Sequence, residues 1–174
     1  MSLKDLANET LTNFNPATDK ASSGESGLPE GIYDVVLSDA RFHVYDSGYE
    51  CVSIVLQAIG GDHDNEKEFI NWNLDPEYVT KDKKTGKKYK LYERYPKLLS
   101  QNIKYVSQLA YVADVALSDA DWEDMVTLGE ALYQGKGAQF ILEVTKSTSN
   151  SGRVYTNYDF RKYDEDVNEG DLPF

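Results

Sequence analysis

Between residues 50 and 59 the chain alternates: Val52, Ile54, Leu56 and Ala58 share one parity and are all apolar. A period of two puts the four side chains on one face of a strand, and a strand with one greasy face has to be paired and covered. Residues 32–44 and 68–74 flank this run and are rich in β-branched and aromatic residues. The turn signals Asp46-Ser47-Gly48 and Gly60-Gly61-Asp62 separate the three runs, so three consecutive strands are predicted.

After residue 95 the period changes to that of a helix. Pro96 suits the first helical position, where its missing N–H would be unpaired anyway. Leu99, Ile103, Val106, Ala110 and Ala113 follow at three- and four-residue steps, which predicts a helix over residues 96–114 with one apolar face. Ser118 is the expected cap of a second helix, with Asp121 in its first turn, a buried stripe of Trp122, Met125, Val126, Gly129 and Leu132, and a stop at Gly135 or Gly137. Two more strands are expected over residues 138–146 and 153–163, joined by Ser149-Asn150-Ser151-Gly152. In the last of them Val154, Thr156, Tyr158 and Phe160 are predicted to point inward, and Arg153, Tyr155, Asn157 and Arg161 outward.

Three strands, a helical insertion and two strands predict a mainly β domain. The expected architecture is an OB-like five-stranded barrel with two helices between strands three and four; a five-stranded sheet packed on two helices is the alternative. The chain of 174 residues has room for one such domain and its tails. Residues 1–28 read as a flexible leader, with a short helix over 3–14 and a small polar linker at 21–27. Residues 29–163 form the domain, and residues 164–174 an acidic tail expected to be disordered.

Charge is sorted along this frame. The net charge is −12, yet residues 81–97 hold eight of the eighteen cations and only two acids, a local +6. Residues 164–174 carry −5 with no cation. Within the basic segment, Lys83, Lys84, Lys87, Lys88, Lys90 and Arg94 interleave with Tyr89, Tyr92 and Tyr95. Cations neutralise phosphates and release counterions, while tyrosine rings offer unpaired bases a surface to stack on. A solvated hairpin with Thr85-Gly86 at its tip is the plain alternative. Arg153, Tyr155 and Arg161 on the last strand make a second candidate surface for a single strand of DNA, against an ordinary wet sheet face.

The end of the chain is its most specific segment. Gly170-Asp171-Leu172-Pro173-Phe174 exposes three apolar side chains beside a terminal carboxylate. A partner with a hydrophobic pocket and a nearby Arg or Lys would hold the ring and the carboxylate together. The plain alternatives are a frayed end or one folded back on its own domain.

Asp171-Leu172-Pro173-Phe174 after an acidic run resembles the C-terminal tip of bacterial and phage single-stranded DNA-binding proteins. That resemblance implies docking of the tip onto replication and recombination enzymes such as nucleases, helicases, primases and mediators. Residues 29–160, with the Gly31-x-Tyr33 strand start, the Gly60-Gly61 pair and a helix before a second capped helix, also resemble a family of phage proteins. These occur in replication and recombination gene clusters and are thought to bind single strands. The tip departs from the pattern where Val167, Asn168 and Gly170 interrupt the acids, and no long Gly- and Gln-rich linker precedes it.

Enzyme signatures are sparse. His43 and His63 are the only histidines and Cys51 the only cysteine, so zinc is poorly served and no intrachain disulfide is expected. Residues 60–66 lack the ligand spacing of a calcium loop. Gly129 to Gly135 is one residue too long for a phosphate loop and ends a helix rather than opening one. No Gly-x-Ser-x-Gly elbow occurs. The expectation is therefore a non-enzyme without cofactor or metal. A non-DNA-binding adapter and a metal-dependent nuclease, for which carboxylates are plentiful, stand as alternatives. The absence of a signal peptide or an apolar run of about 20 residues predicts a cytoplasmic protein, in the host cell if phage-encoded; a homo-oligomer is left open.

Overall fold

The computed structural model describes residues 2–12, 15–17 and 27–163. Helix α1 (Leu3–Leu11) opens with a reciprocal capping box between Ser2 and Asp5. The strands β1 (Gly31–Val44), β2 (Glu50–Ala58) and β3 (Lys67–Trp72) follow as an antiparallel meander. A two-stranded ribbon, β4 (Val79–Lys81) with β5 (Lys88–Lys90), leads into the short helix α2 (Leu91–Arg94) and then α3 (Pro96–Val112). A 3-10 turn (Asp119–Trp122), α4 (Met125–Tyr133), β6 (Gln139–Thr148) and β7 (Val154–Arg161) complete the order.

The five longer strands form one antiparallel sheet in the order β3-β2-β1-β6-β7. The centre is β1, whose first half pairs with β6 up to Val36 opposite Gln139, and whose second half pairs with β2. Its register slips between Leu37 and Asp39. This bulge flips the parity of the buried side chains from Val35 and Leu37 to Ala40. Val52, Ile54, Leu56 and Ala58 are all buried, as their spacing requires. Leu109, Leu128, Leu132, Phe140 and Leu142 join them in a single core. Leu28, placed with the leader by its sequence context, is only 1% exposed and belongs to that core.

The expected barrel is not closed, and β3 and β7 remain the two edges of an open sheet. The reason is visible at Tyr105 of α3. Its ring stacks on Trp72 of β3 at 5.8 Å, and its hydroxyl accepts the N–H of Tyr158 on β7 at 3.4 Å. A helix side chain thus occupies the donor that a closing ladder would use, and the rings of Tyr158 and Phe160 fill the remaining space.

The helices depart from their predicted details. Helix α3 ends at Val112, two residues early, because Asp114 adopts a left-handed conformation (φ 58) while Val115 N–H donates back to Ala110 O and Asp114 N–H to Tyr111 O. Val106, Ala110 and Ala113 are buried as expected, but Ile103 is exposed. Ser118 caps the 3-10 turn rather than a helix, and α4 is capped by Asp124, whose carboxylate accepts Thr127 N–H at 2.7 Å. Trp122 and Val126 are exposed, and the stripe facing the sheet is Leu128, Gly129 and Leu132. Gly129 sits directly against β1, where an added Cβ would lie 2.6 Å from Phe42 N. Among the described residues no helix is long and apolar enough to cross a membrane.

Candidate functional site

The basic segment folds into the β4–β5 ribbon and its turn. Asp82 organises that turn: its carboxylate accepts Lys84 N–H at 2.8 Å and Thr85 N–H at 3.2 Å. These two backbone bonds, helped by the Arg94 guanidinium at 3.4 Å, hold its carboxyl below the usual range. Gly86, at φ 71, supplies the left-handed residue the reversal needs. The result presents Lys83, Lys84, Lys87 and Lys88 to solvent, and none of the four makes a salt bridge among the described residues.

Other members of the predicted set have local duties. Lys90 is bound to Glu77 at 2.5 Å and approaches Glu93 at 3.8 Å, and the Glu77 hydrogen bond raises its pKa. Arg94 lies 3.7 Å over the centre of the Tyr89 ring, a cation–π pair on the ribbon's flank. Tyr92 is not a stacking surface. It is 8% exposed, its hydroxyl donates to Asn73 O at 2.8 Å, and burial pushes its phenol up to about 12. It pegs the root of the ribbon to the end of β3, where Asn102 of α3 donates to the same carbonyl at 3.0 Å.

The second predicted surface divides in two. The pairing of β6 with β1 stops at Val144, whereas β6 and β7 pair on to Thr148 opposite Val154. The outer part of this hairpin therefore projects beyond the sheet, which is why Val154 and Thr156, expected to point inward, are exposed, and only Tyr158 and Phe160 turn toward the core. Tyr155 is 48% exposed on this arm, with the Arg153 guanidinium 5.9 Å from its ring centre. Arg161 is a strut instead: it binds Glu143 at 2.9 Å and Asp159 at 2.7 Å. The expectation of a free cation there is overturned because those two acids are register partners on adjacent strands.

Between the unpaired edges of β3 and β7 lies a cleft of about 370 Å³, walled by Phe69, Asn71, Tyr155 and Asn157 and floored by Gln101 and Tyr105 of α3. Phe69, at 61% exposure, and the α3 amides were missed by sequence reasoning. The parity of Glu68, Ile70 and Trp72, all buried, is the signal that could have found Phe69 and Asn71 on the opposite face. A wider cleft, about 690 Å³, runs between the second half of β1 and α4 past Arg41, Val126 and Tyr133.

Asp171, Leu172, Pro173 and Phe174 lie outside the described residues. Among the described residues no three His, Cys, Asp or Glu side chains group in a way that could hold a metal ion. Compared with known protein families and with curated protein sequences, the chain matches none.

Proposed function

We propose that this protein binds single-stranded DNA without cleaving it, in the manner of the phage replication and recombination proteins its sequence resembles, and that its last four residues recruit partner enzymes. The observation carrying this reading is the quartet Lys83, Lys84, Lys87 and Lys88, exposed and without a salt bridge among the described residues on one ribbon of a chain with net charge −12. In so acidic a protein, four exposed cations within six residues make a local positive patch that attracts a polyanion and releases its counterions. Tyr89 with Arg94, and Tyr155 with Arg153, add ring-and-cation pairs suited to unpaired bases.

On this proposal the open five-stranded sheet is an OB-type domain, a class whose barrel is partly open and which binds oligonucleotides on strands two and three and on the loops joining strands one to two and four to five. The corresponding parts are the β2–β3 face with Phe69, the loop with Tyr45 and Tyr49, and the projecting β6–β7 arm. The protein would act in the host cytoplasm, shielding single strands while Asp171, Leu172, Pro173 and Phe174 engage partners.

The test is a titration of the full chain with a fluorescent single strand, set beside duplex DNA and RNA. Four phosphate contacts give a slope of log affinity on log salt of about −3 for a single strand. Equal affinity for duplex, or no binding in dilute buffer, removes the proposal.

A further inference from the structure

The cleft between β3 and β7 has a chemistry that phosphate binding does not account for. Among the described residues none of those lining it is charged, although 28% of the chain is. A phosphate would find no counter-charge on these walls. A flat, neutral molecule with donors and acceptors on its rim finds what it needs, because four lining residues are carboxamides: Asn71, Gln101, Asn102 and Asn157.

Their internal bonds leave capacity to spare. Asn157 gives its amide N–H to Ser147 Oγ at 3.3 Å, and Gln101 gives its own to the Tyr105 hydroxyl at 3.3 Å, so both keep an oxygen for a ligand. Asn71 accepts only a weak thiol contact from Cys51 at 3.7 Å and keeps its amide donors. The exposed rings of Phe69 and Tyr155 stand on the β3 and β7 sides of the same cleft. At about 370 Å³ it is at the small end of ligand sites, a fit for one base rather than a long ligand. Arg153 beside Tyr155 keeps a cation close to the ring that would stack, available to the sugar–phosphate of the base held inside.

We infer that this cleft takes a single unpaired nucleobase, stacks it on Tyr155 or Phe69 and reads its edge with Asn71 and Asn157. Binding then carries a base preference that the lysine ribbon, which senses only phosphate, cannot supply. A paired base has its edge occupied and cannot enter, so the cleft also favours single strands over duplex. This inference rests on the single-strand reading above and adds to it the group that is read.

The discriminating probes are fluorescent dT and dC homo-oligonucleotides of equal length. Both are pyrimidines, and they differ chiefly in whether an acceptor or a donor lies on the exocyclic edge. With the full chain, their affinities are expected to differ by about tenfold. Asn71→Ala and Asn157→Ala should each weaken the preferred oligonucleotide and draw the ratio toward one, and Asn71→Asp, which keeps the shape but exchanges donor for anion, should shift the preference. Equal binding of dT and dC by the wild-type chain, with the steep salt dependence retained, would overturn the base-reading cleft and leave the single-strand reading standing. So would a ratio unaltered in both alanine variants. If neither oligonucleotide binds in dilute buffer, both fall together.

Discussion

Tyr158 and Glu68 join the two edges of the sheet that no ladder connects: the phenol hydroxyl on β7 donates to the Glu68 carboxylate on β3 at 2.7 Å. Glu68 is 4% exposed, and its other oxygen accepts the N–H of Leu28 at 2.5 Å. One buried carboxylate therefore ties the start of the domain to both edge strands. Gly27 exists in its present form because of this contact, since a Cβ there, at φ 103, would fall 2.5 Å from the same carboxylate.

Removing that tie should be costly. Glu68→Ala orphans two donors at a buried site, and the expected loss is about 3 kcal/mol, against about 1.5 kcal/mol for Tyr158→Phe, which deletes one hydrogen bond to a charged group. Urea unfolding with an unchanged slope would read both values. A Glu68→Ala protein as stable as wild type would mean that water replaces the carboxylate without penalty.

The buried phenols predict weakness in alkali. Burial raises the pKa of Tyr92 from 10.0 to about 12 and raises those of Tyr49 and Tyr158 further, with the Glu68 hydrogen bond adding to the burial effect on Tyr158. In the unfolded chain these phenols ionise near 10, in the folded one later, so the folded state holds more protons above pH 10. Their contribution is complete below pH 10 and is lost as pH rises through about 12 for Tyr92 and beyond it for the other two. Urea midpoints measured on either side of pH 10 should fall, and should fall less in Tyr158→Phe than in wild type.

On the ribbon, Lys87→Ala with Lys88→Ala removes two exposed cations that make no salt bridge among the described residues and leaves the Asp82 turn intact. Single-strand affinity should drop and the salt slope should become shallower by about 1.4, at roughly 0.7 per phosphate contact. An unchanged slope would place the phosphates elsewhere.

Two tyrosines three residues apart should behave oppositely. Tyr92→Phe loses a hydroxyl whose acceptor, Asn73 O, keeps its bond from Asn102, so about 1 kcal/mol of stability is lost while DNA affinity is retained. Tyr89→Ala should weaken single-strand binding by about 1 to 3 kcal/mol with little change in unfolding. The pair is best compared by anisotropy titration alongside thermal melts.

Gly129→Ala offers a test of the α4–β1 contact. Helix propensity alone favours alanine by about 1 kcal/mol, but the new methyl would meet Phe42 N at 2.6 Å and Arg41 C at 3.0 Å, backbone atoms that cannot swing aside. Overpacking should dominate, with a net loss of about 2 kcal/mol. A melting temperature above wild type would show that α4 can move off β1 at no cost.

What the sequence determined by itself was whatever depends on short-range pattern. The alternation at Val52, Ile54, Leu56 and Ala58 decides which face of β2 is buried, Pro96 marks where α3 begins, and the clustering of Lys83, Lys84, Lys87 and Lys88 survives folding because a short ribbon has nowhere to hide charge. The tertiary structure decided what depends on partners distant along the chain. Tyr92 and Tyr89 are alike in sequence, but the Asn73 carbonyl makes one a buried peg, while the other stays half-buried on the ribbon with Arg94 over its ring. Arg161 reads as a free cation until β6 brings Glu143 beside it. The barrel stays open because Tyr105, more than fifty residues from Tyr158, takes the edge N–H that a fifth ladder would need. Strand periodicity can indicate that an edge exists, but not which side chain from elsewhere will fill it.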